Sequence, residues 1–159
     1  MTRKSILSVA TALTILTASC GSNKENKETA DIQQQETVAN VDVRGQWYLE
    51  NIVFSDSDYV RPAEEVPGRR QYIIFEDSTY FIQTNCNTFS GTYTIKGDSI
   101  TLGDGAKTEM ACDNMSTEDA IRRILLNIAT VYIENDSIAR LDSRNPSEYI
   151  LLRKATEKK

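Results

Sequence analysis

The chain has 159 residues, 40% of them hydrophobic, which suits one folded domain with a tail and argues against wholesale disorder. Its net charge is −5 and it has no long basic run, so nucleic-acid binding is not expected. It has no histidine, which excludes Ser-His-Asp and Cys-His hydrolases and most catalytic zinc sites.

Residues 1–19 have the pattern of an export signal. Arg3 and Lys4 precede an apolar stretch from Ile6 to Leu16, 11 residues long. That is too short to span a bilayer, which takes about 20 helical residues. It fits the charged and apolar regions of a secretory signal. The stretch ends in Leu16-Thr17-Ala18-Ser19-Cys20-Gly21, small residues followed by a cysteine. This resembles the lipobox of bacterial lipoproteins, with Thr17 where the large aliphatic usually stands. The resemblance implies cleavage before Cys20, acyl chains such as palmitate on Cys20, and a lipid-anchored place in the bacterial envelope. The missing aspartate after Cys20 directs that expectation to the outer membrane. The competing reading is an ordinary signal peptide with an incidental cysteine. Loss of Arg3 and Lys4 leaves 16 basic against 23 acidic residues, a net −7. Attachment then rests on acyl chains rather than on attraction to anionic lipid.

Residues 20–43 read as the lipidated cysteine and a tether. Gly21 to Asn40 holds one large aliphatic, Ile32, and no aromatic. Such a segment cannot offset its ordering entropy, and as a coil it spans roughly 25 Å. Lys24-Glu25 and Lys27-Glu28 resemble lysine-acidic surface-export signals, and the plainer reading is a solvated linker.

The folded part is expected over 44–154, with a charged tail over 155–159. Gln46 to Phe54 is aromatic and β-branched, a strand pattern. Ser55 to Arg70, with Pro62, Pro67 and Gly68, reads as a long loop. Gln71 to Glu76 and Thr79 to Thr84 form two strands about the Asp77-Ser78 turn. Thr88 to Lys96 and Ser99 to Leu102 form a hairpin about Gly97-Asp98. Ser116-Thr117-Glu118-Asp119 reads as a capped helix start, with acids placed for the helix dipole. Ile121, Ile124, Leu125 and Ile128 follow at helical spacing, giving a core-facing helix over Thr117 to Ala129. Arg122 and Arg123 point away from that stripe. Strands over Thr130 to Glu134, Ser137 to Asp142 and Glu148 to Arg153 complete the chain. Hairpin-spaced strands with one helix predict a mainly β, antiparallel, barrel-like fold.

Asn85-Cys86-Asn87 with Gly91 and Tyr93, then Thr108-x-Met110-x-Cys112 before the helix, stand downstream of Trp47-Tyr48-Leu49. This resembles the META domain of HslJ-like bacterial lipoproteins, over about Gly45 to Lys154. Asn85 departs from the glycine usual there. The resemblance implies a small β-rich fold packed on one helix. It implies no reaction, because the family is defined by fold and stress association.

Read without the family, Asn85 and Asn87 suit bonds to local backbone, and Gly91 suits a bulge or bend. The motif is then architectural, the alternative being a polar patch that recognises a ligand or peptide. Cys86 and Cys112 are the pair left once Cys20 is acylated, and in an exported domain they favour a disulfide. Two buried thiols or a redox pair are the competing states, and redox work lacks its Cys-x-x-Cys spacing.

Asp56, Asp58, Glu64, Glu65, Asp104 and Asp113 supply loop carboxylates but no marked acid pair. Asp56-Ser57-Asp58 and Gly103-Asp104-Gly105 lack the ligand series of a calcium loop. No catalytic residue, metal or cofactor is expected. The functional expectation is a non-enzymatic envelope lipoprotein, a binding or stress-related accessory module. Its partners are the membrane, through the lipid on Cys20, and an envelope protein. The alternatives are a carrier of a small apolar ligand, with Tyr72, Ile74 and Ile100 turned into the barrel, and a carboxylate-based hydrolase.

Overall fold

The computed structural model describes residues 39–156. The signal, Cys20, the two lysine-acidic pairs and residues 157–159 lie outside the described residues.

The strands are β1 (Gly45–Val53), β2 (Tyr59–Val60), β3 (Tyr72–Phe75), β4 (Thr79–Gln83), β5 (Thr88–Lys96), β6 (Ser99–Leu102), β7 (Ile128–Asn135), β8 (Ile138–Ser143) and β9 (Tyr149–Lys154). The helix α1 (Ser116–Ile124) runs into a 3-10 turn at Leu125–Asn127. Neighbouring strands pair antiparallel in chain order, and β9 returns to pair with β1 from Trp47↔Lys154 to Val53↔Tyr149. The result is a closed antiparallel barrel of eight strands, with β2 a short flap on the far half of β1.

Period-2 alternation sets the inside. Ile52, Ile73, Phe75, Ile82, Leu141 and Leu152 are all at most 1% exposed and fill the barrel. Tyr72 and Ile74, expected to face inward, are the outward members of β3, whose burial alternates through Ile73 and Phe75. Four apolar residues in a row, Tyr72-Ile73-Ile74-Phe75, leave no polar face to set the phase. The outward pair meets its neighbours instead: Tyr72 packs on Phe81 with ring centroids 6.4 Å apart.

The two rims of the barrel differ. At one, Val41 N donates to Gly97 O and Gly97 N to Asn40 Oδ1, beside the Asp77-Ser78, Gly97-Asp98 and Asp136-Ser137 turns. The last strand also ends there, and Ala155 N donates to Gln46 O at 2.9 Å. Val43, read with the tether, is 2% exposed and takes the Trp47 indole N–H on its carbonyl at 2.7 Å. The domain therefore begins before residue 44. Ala155, read with the tail, extends the last ladder.

The other rim carries the 54–71 loop, the Asn85-Cys86 turn, the 103–115 segment and α1. The helical stripe seals it: Ile121 and Ile124 are fully buried, with Leu125 and Ile128 beside them. Arg122 and Arg123 are exposed, as their place off the stripe implies. The helix is shorter than its apolar spacing suggests. Ile128 and Ala129 already belong to β7, whose Ile128 pairs with Ser143.

Candidate functional site

The signature residues converge on that helical rim. Thr84 N donates to Asn87 O at 3.0 Å and closes a two-residue turn, Asn85-Cys86, between β4 and β5. Glu118 reaches this turn from the first turn of α1. It is 1% exposed, and its Oε1 accepts from Thr84 Oγ1, from Cys86 N at 3.1 Å and from Asn87 N at 3.4 Å. A buried carboxylate is tolerated only when donors surround it, and these three supply that shell. The sequence places Glu118 as a first-turn acid favoured by the helix dipole; in the fold it is also the centre of the rim. The cap is also displaced. Met115 occupies the capping position without a side-chain bond, and Asn114 Oδ1 takes Ser116 N–H at 3.1 Å.

Asn87 works in the opposite direction. Fully buried, it accepts on Oδ1 from Thr108 Oγ1 at 2.9 Å and Met110 N at 2.8 Å, and its Nδ2 donates to Met110 O at 2.9 Å. One amide thus holds the 103–115 segment against the turn. Thr108 Oγ1 also accepts Thr88 N–H at 2.9 Å. Met110 serves the motif through its backbone, while its side chain is 58% exposed. Cys86 and Cys112 are joined by a disulfide beside this clamp. Asn87→Ala is expected to lower stability by about 1–3 kcal/mol, since it strands a buried clamp rather than a surface amide. A reduced urea midpoint at unchanged slope would show it.

The sequence suits Gly91 to a bulge or a bend. The β4–β5 register runs without a shift from Thr79↔Thr92 to Gln83↔Thr88, so there is no bulge. The reason for glycine is close approach: an added Cβ would lie 2.5 Å from Gly103 O and 2.7 Å from the Tyr80 hydroxyl. The 103–108 segment crosses β5 here, with Gly103 N donating to Thr92 O and Ser90 N to Ala106 O, both at 2.8 Å. Tyr80 OH donates to Gly103 O at 2.9 Å, and Tyr93 OH donates to Glu76 O. Tyr93 also meets Phe75 edge-on, centroids 5.1 Å apart. Trp47, the remaining signature residue, is buried under the Lys154 ammonium, 4.3 Å from its ring.

Burial pushes the Tyr80 phenol above the ordinary tyrosine value of 10.0, and the charge of Asp104 adds to the shift. Burial also raises Tyr93. Below pH 10 these phenols are neutral in both states. Above it the unfolded chain ionises first, so stability falls as pH rises past about 10. Urea midpoints at about pH 9 and about pH 11 should show that decline, smaller in Tyr80→Phe.

Asn85, the departure from the family pattern, has a task of its own. Its Nδ2 donates to Ala63 O at 3.1 Å, and Gln71 Nε2 donates to the same oxygen at 3.0 Å. Two amides thereby pin the long loop. Asn114 Nδ2 to Glu65 at 2.7 Å and the Arg123–Asp58 pair at 3.0 Å hold it further along. Arg123 also covers Phe54, its guanidinium 3.6 Å from the ring centroid. Glu64 accepts Gly68 N–H, so Asp58, Glu64 and Glu65 are each engaged in shaping the loop. Under the pinned loop runs a groove of about 300 Å³ on the outer face of β1, β3 and β4, walled by Gln46, Tyr48, Tyr72, Gln83, Asn85 and Arg69. Sequence reasoning missed it because loop and strands are joined by contacts 8 to 49 residues apart.

A closed barrel sealed by one helix, with an amide-and-disulfide clamp at the helical rim, defines a small β-barrel module. The chain belongs to the META domain family: the family model matches residues 39–156. The solved NMR structure of a protein from Burkholderia xenovorans is similar at a TM-score of 0.58 and 18% identity, covering 70% of this chain and 82% of that one. A crystal structure of a DUF4847 family protein from Bacteroides vulgatus is similar at 0.50 and 13% identity, covering 72% and 94%. Both show likeness of fold. No curated protein matches the chain.

Proposed function

We propose that this chain is a lipid-anchored accessory module of the bacterial envelope, held in the outer membrane through Cys20 and acting by binding rather than by catalysis. The META fold is compatible with such a module. The observation that carries the binding part is the preformed polar groove under the 54–71 loop, on the outer face of β1, β3 and β4. The signal and lipobox-like residues carry the anchoring part.

Acyl labelling and membrane fractionation test the anchor. Cys20→Ser is expected to lose the label and to leave the membrane fraction. A Cys20→Ser chain that stays membrane-bound would place the anchor elsewhere and overturn this reading.

A further inference from the structure

We propose that the groove under the long loop binds a saccharide unit bearing a carboxylate, an acidic pyranose. This rests on the reading of the domain as a binding module and names its ligand class.

The groove is built before any ligand arrives. Ala63 O is held by both Gln71 and Asn85, Glu65 by Asn114, and Arg69 N donates to Val66 O at 2.9 Å. Arg70 forms an ion pair with Glu50 and lies over the Tyr48 ring, 4.2 Å from its centroid. A wall ordered by the fold itself costs little further entropy on binding. At about 300 Å³ the space stands at the small end of ligand pockets, which suits one sugar unit rather than an extended chain.

The lining selects the chemistry. Gln46, Gln83 and Asn85 present side-chain amides; Gln83 Nε2 already donates to Thr84 O and Asn85 Nδ2 to Ala63 O, which leaves each an oxygen and one N–H for a ligand, and Glu65 adds acceptor oxygens. A ligand matched to such a set must itself both donate and accept at several points, as vicinal hydroxyls do. An apolar ligand would leave these groups unpaired. Tyr48 and Tyr72 stand among them on paired positions of β1 and β3. An aromatic flanked by amides suits a ring with one C–H face and a hydroxyl rim. The charge pattern supplies the last feature. Glu50 is shared by Arg70 and Arg153, Glu65 adds a second carboxylate, and Arg69 forms no ion pair with any acid among the described residues, so three guanidiniums face two carboxylates, a net +1. That surplus charge calls for one carboxylate on the ligand, which the Arg69 guanidinium can bind in bidentate fashion.

The test titrates the full chain in detergent micelles with trigalacturonic acid and with maltotriose, followed by amide chemical shifts. The acidic sugar is expected to shift the amides of Gln83, Asn85 and Arg69 and to bind about tenfold more tightly than the neutral one. Arg69→Gln, on an exposed loop, should erase that preference while leaving weak binding of both. Tyr72→Ala should weaken both sugars alike. No shift at the groove with either sugar, or a preference that survives Arg69→Gln, overturns the assignment. The anchor fails separately: a chain whose Cys20→Ser form stays on the membrane while wild type still binds the acidic sugar refutes only the anchoring.

Discussion

Glu118→Ala is expected to destabilise the domain by about 2–3 kcal/mol, a large share of the stability of a domain this size. The substitution removes the acceptor shared by Thr84 Oγ1, Cys86 N and Asn87 N; Thr84 Oγ1 keeps Asn87 O and Asn87 N keeps Thr84 Oγ1, so the buried Cys86 N–H is the donor left without a partner. The cost comes from that stranded N–H more than from the lost bonds themselves. Glu118→Gln keeps one oxygen in place and should cost less, about 1–2 kcal/mol. Chemical denaturation of the three proteins gives the comparison. An alanine variant within about 1 kcal/mol of wild type would mean that water reaches the turn and that Glu118 does not organise the rim.

The second large effect is expected from the disulfide. Cys86 and Cys112 are 26 residues apart in sequence, and closing a loop of that length in the unfolded chain contributes about 3–4 kcal/mol. Replacing both by alanine should lower Tm by roughly 10–20 °C. The Asn87 clamp joins the same two segments, so the loop should stay in place near room temperature and the loss should appear mainly as earlier unfolding. Calorimetry of the Cys86→Ala/Cys112→Ala chain measures it. Thiol counting on the denatured, unreduced chain gives an independent check. Reactive thiols at both positions, or an unchanged Tm, would remove the bond from the account.

The local pattern made most of the barrel legible. Thr88–Lys96 and Ser99–Leu102 are strands with those bounds because Gly97-Asp98 breaks the chain between two β-rich runs. Gly97 takes φ 65°, which that turn requires. Ile121 and Ile124 mark the buried face of the helix, while Leu125 and Ile128, also buried, fall in the 3-10 turn and at the start of β7. What escaped depends on distance along the chain. Tyr59–Val60 is a strand only because Ile52 and Val53 are there to pair with it. Glu118 has the local appearance of a helix-start acid, and its partners lie 31 to 34 residues upstream. Gly91 lacks a Cβ for the sake of a segment that returns a dozen residues later. The candidate groove was illegible for the same reason: its roof and floor meet only after β1, β3 and β4 are assembled.

The pairing of the first strand with the last also orders events in time. Trp47↔Lys154 and Tyr48↔Arg153 join positions more than a hundred residues apart. The hairpins of β3 to β6 and of β7 to β9 can form from neighbours, but the seam between β1 and β9 must wait for residues 149–154. Loop-closure entropy makes such a distant pairing slow, and all-β topologies fold on the millisecond-to-second scale. A chain still being synthesised therefore keeps an open sheet edge on β1 until its final strand has emerged.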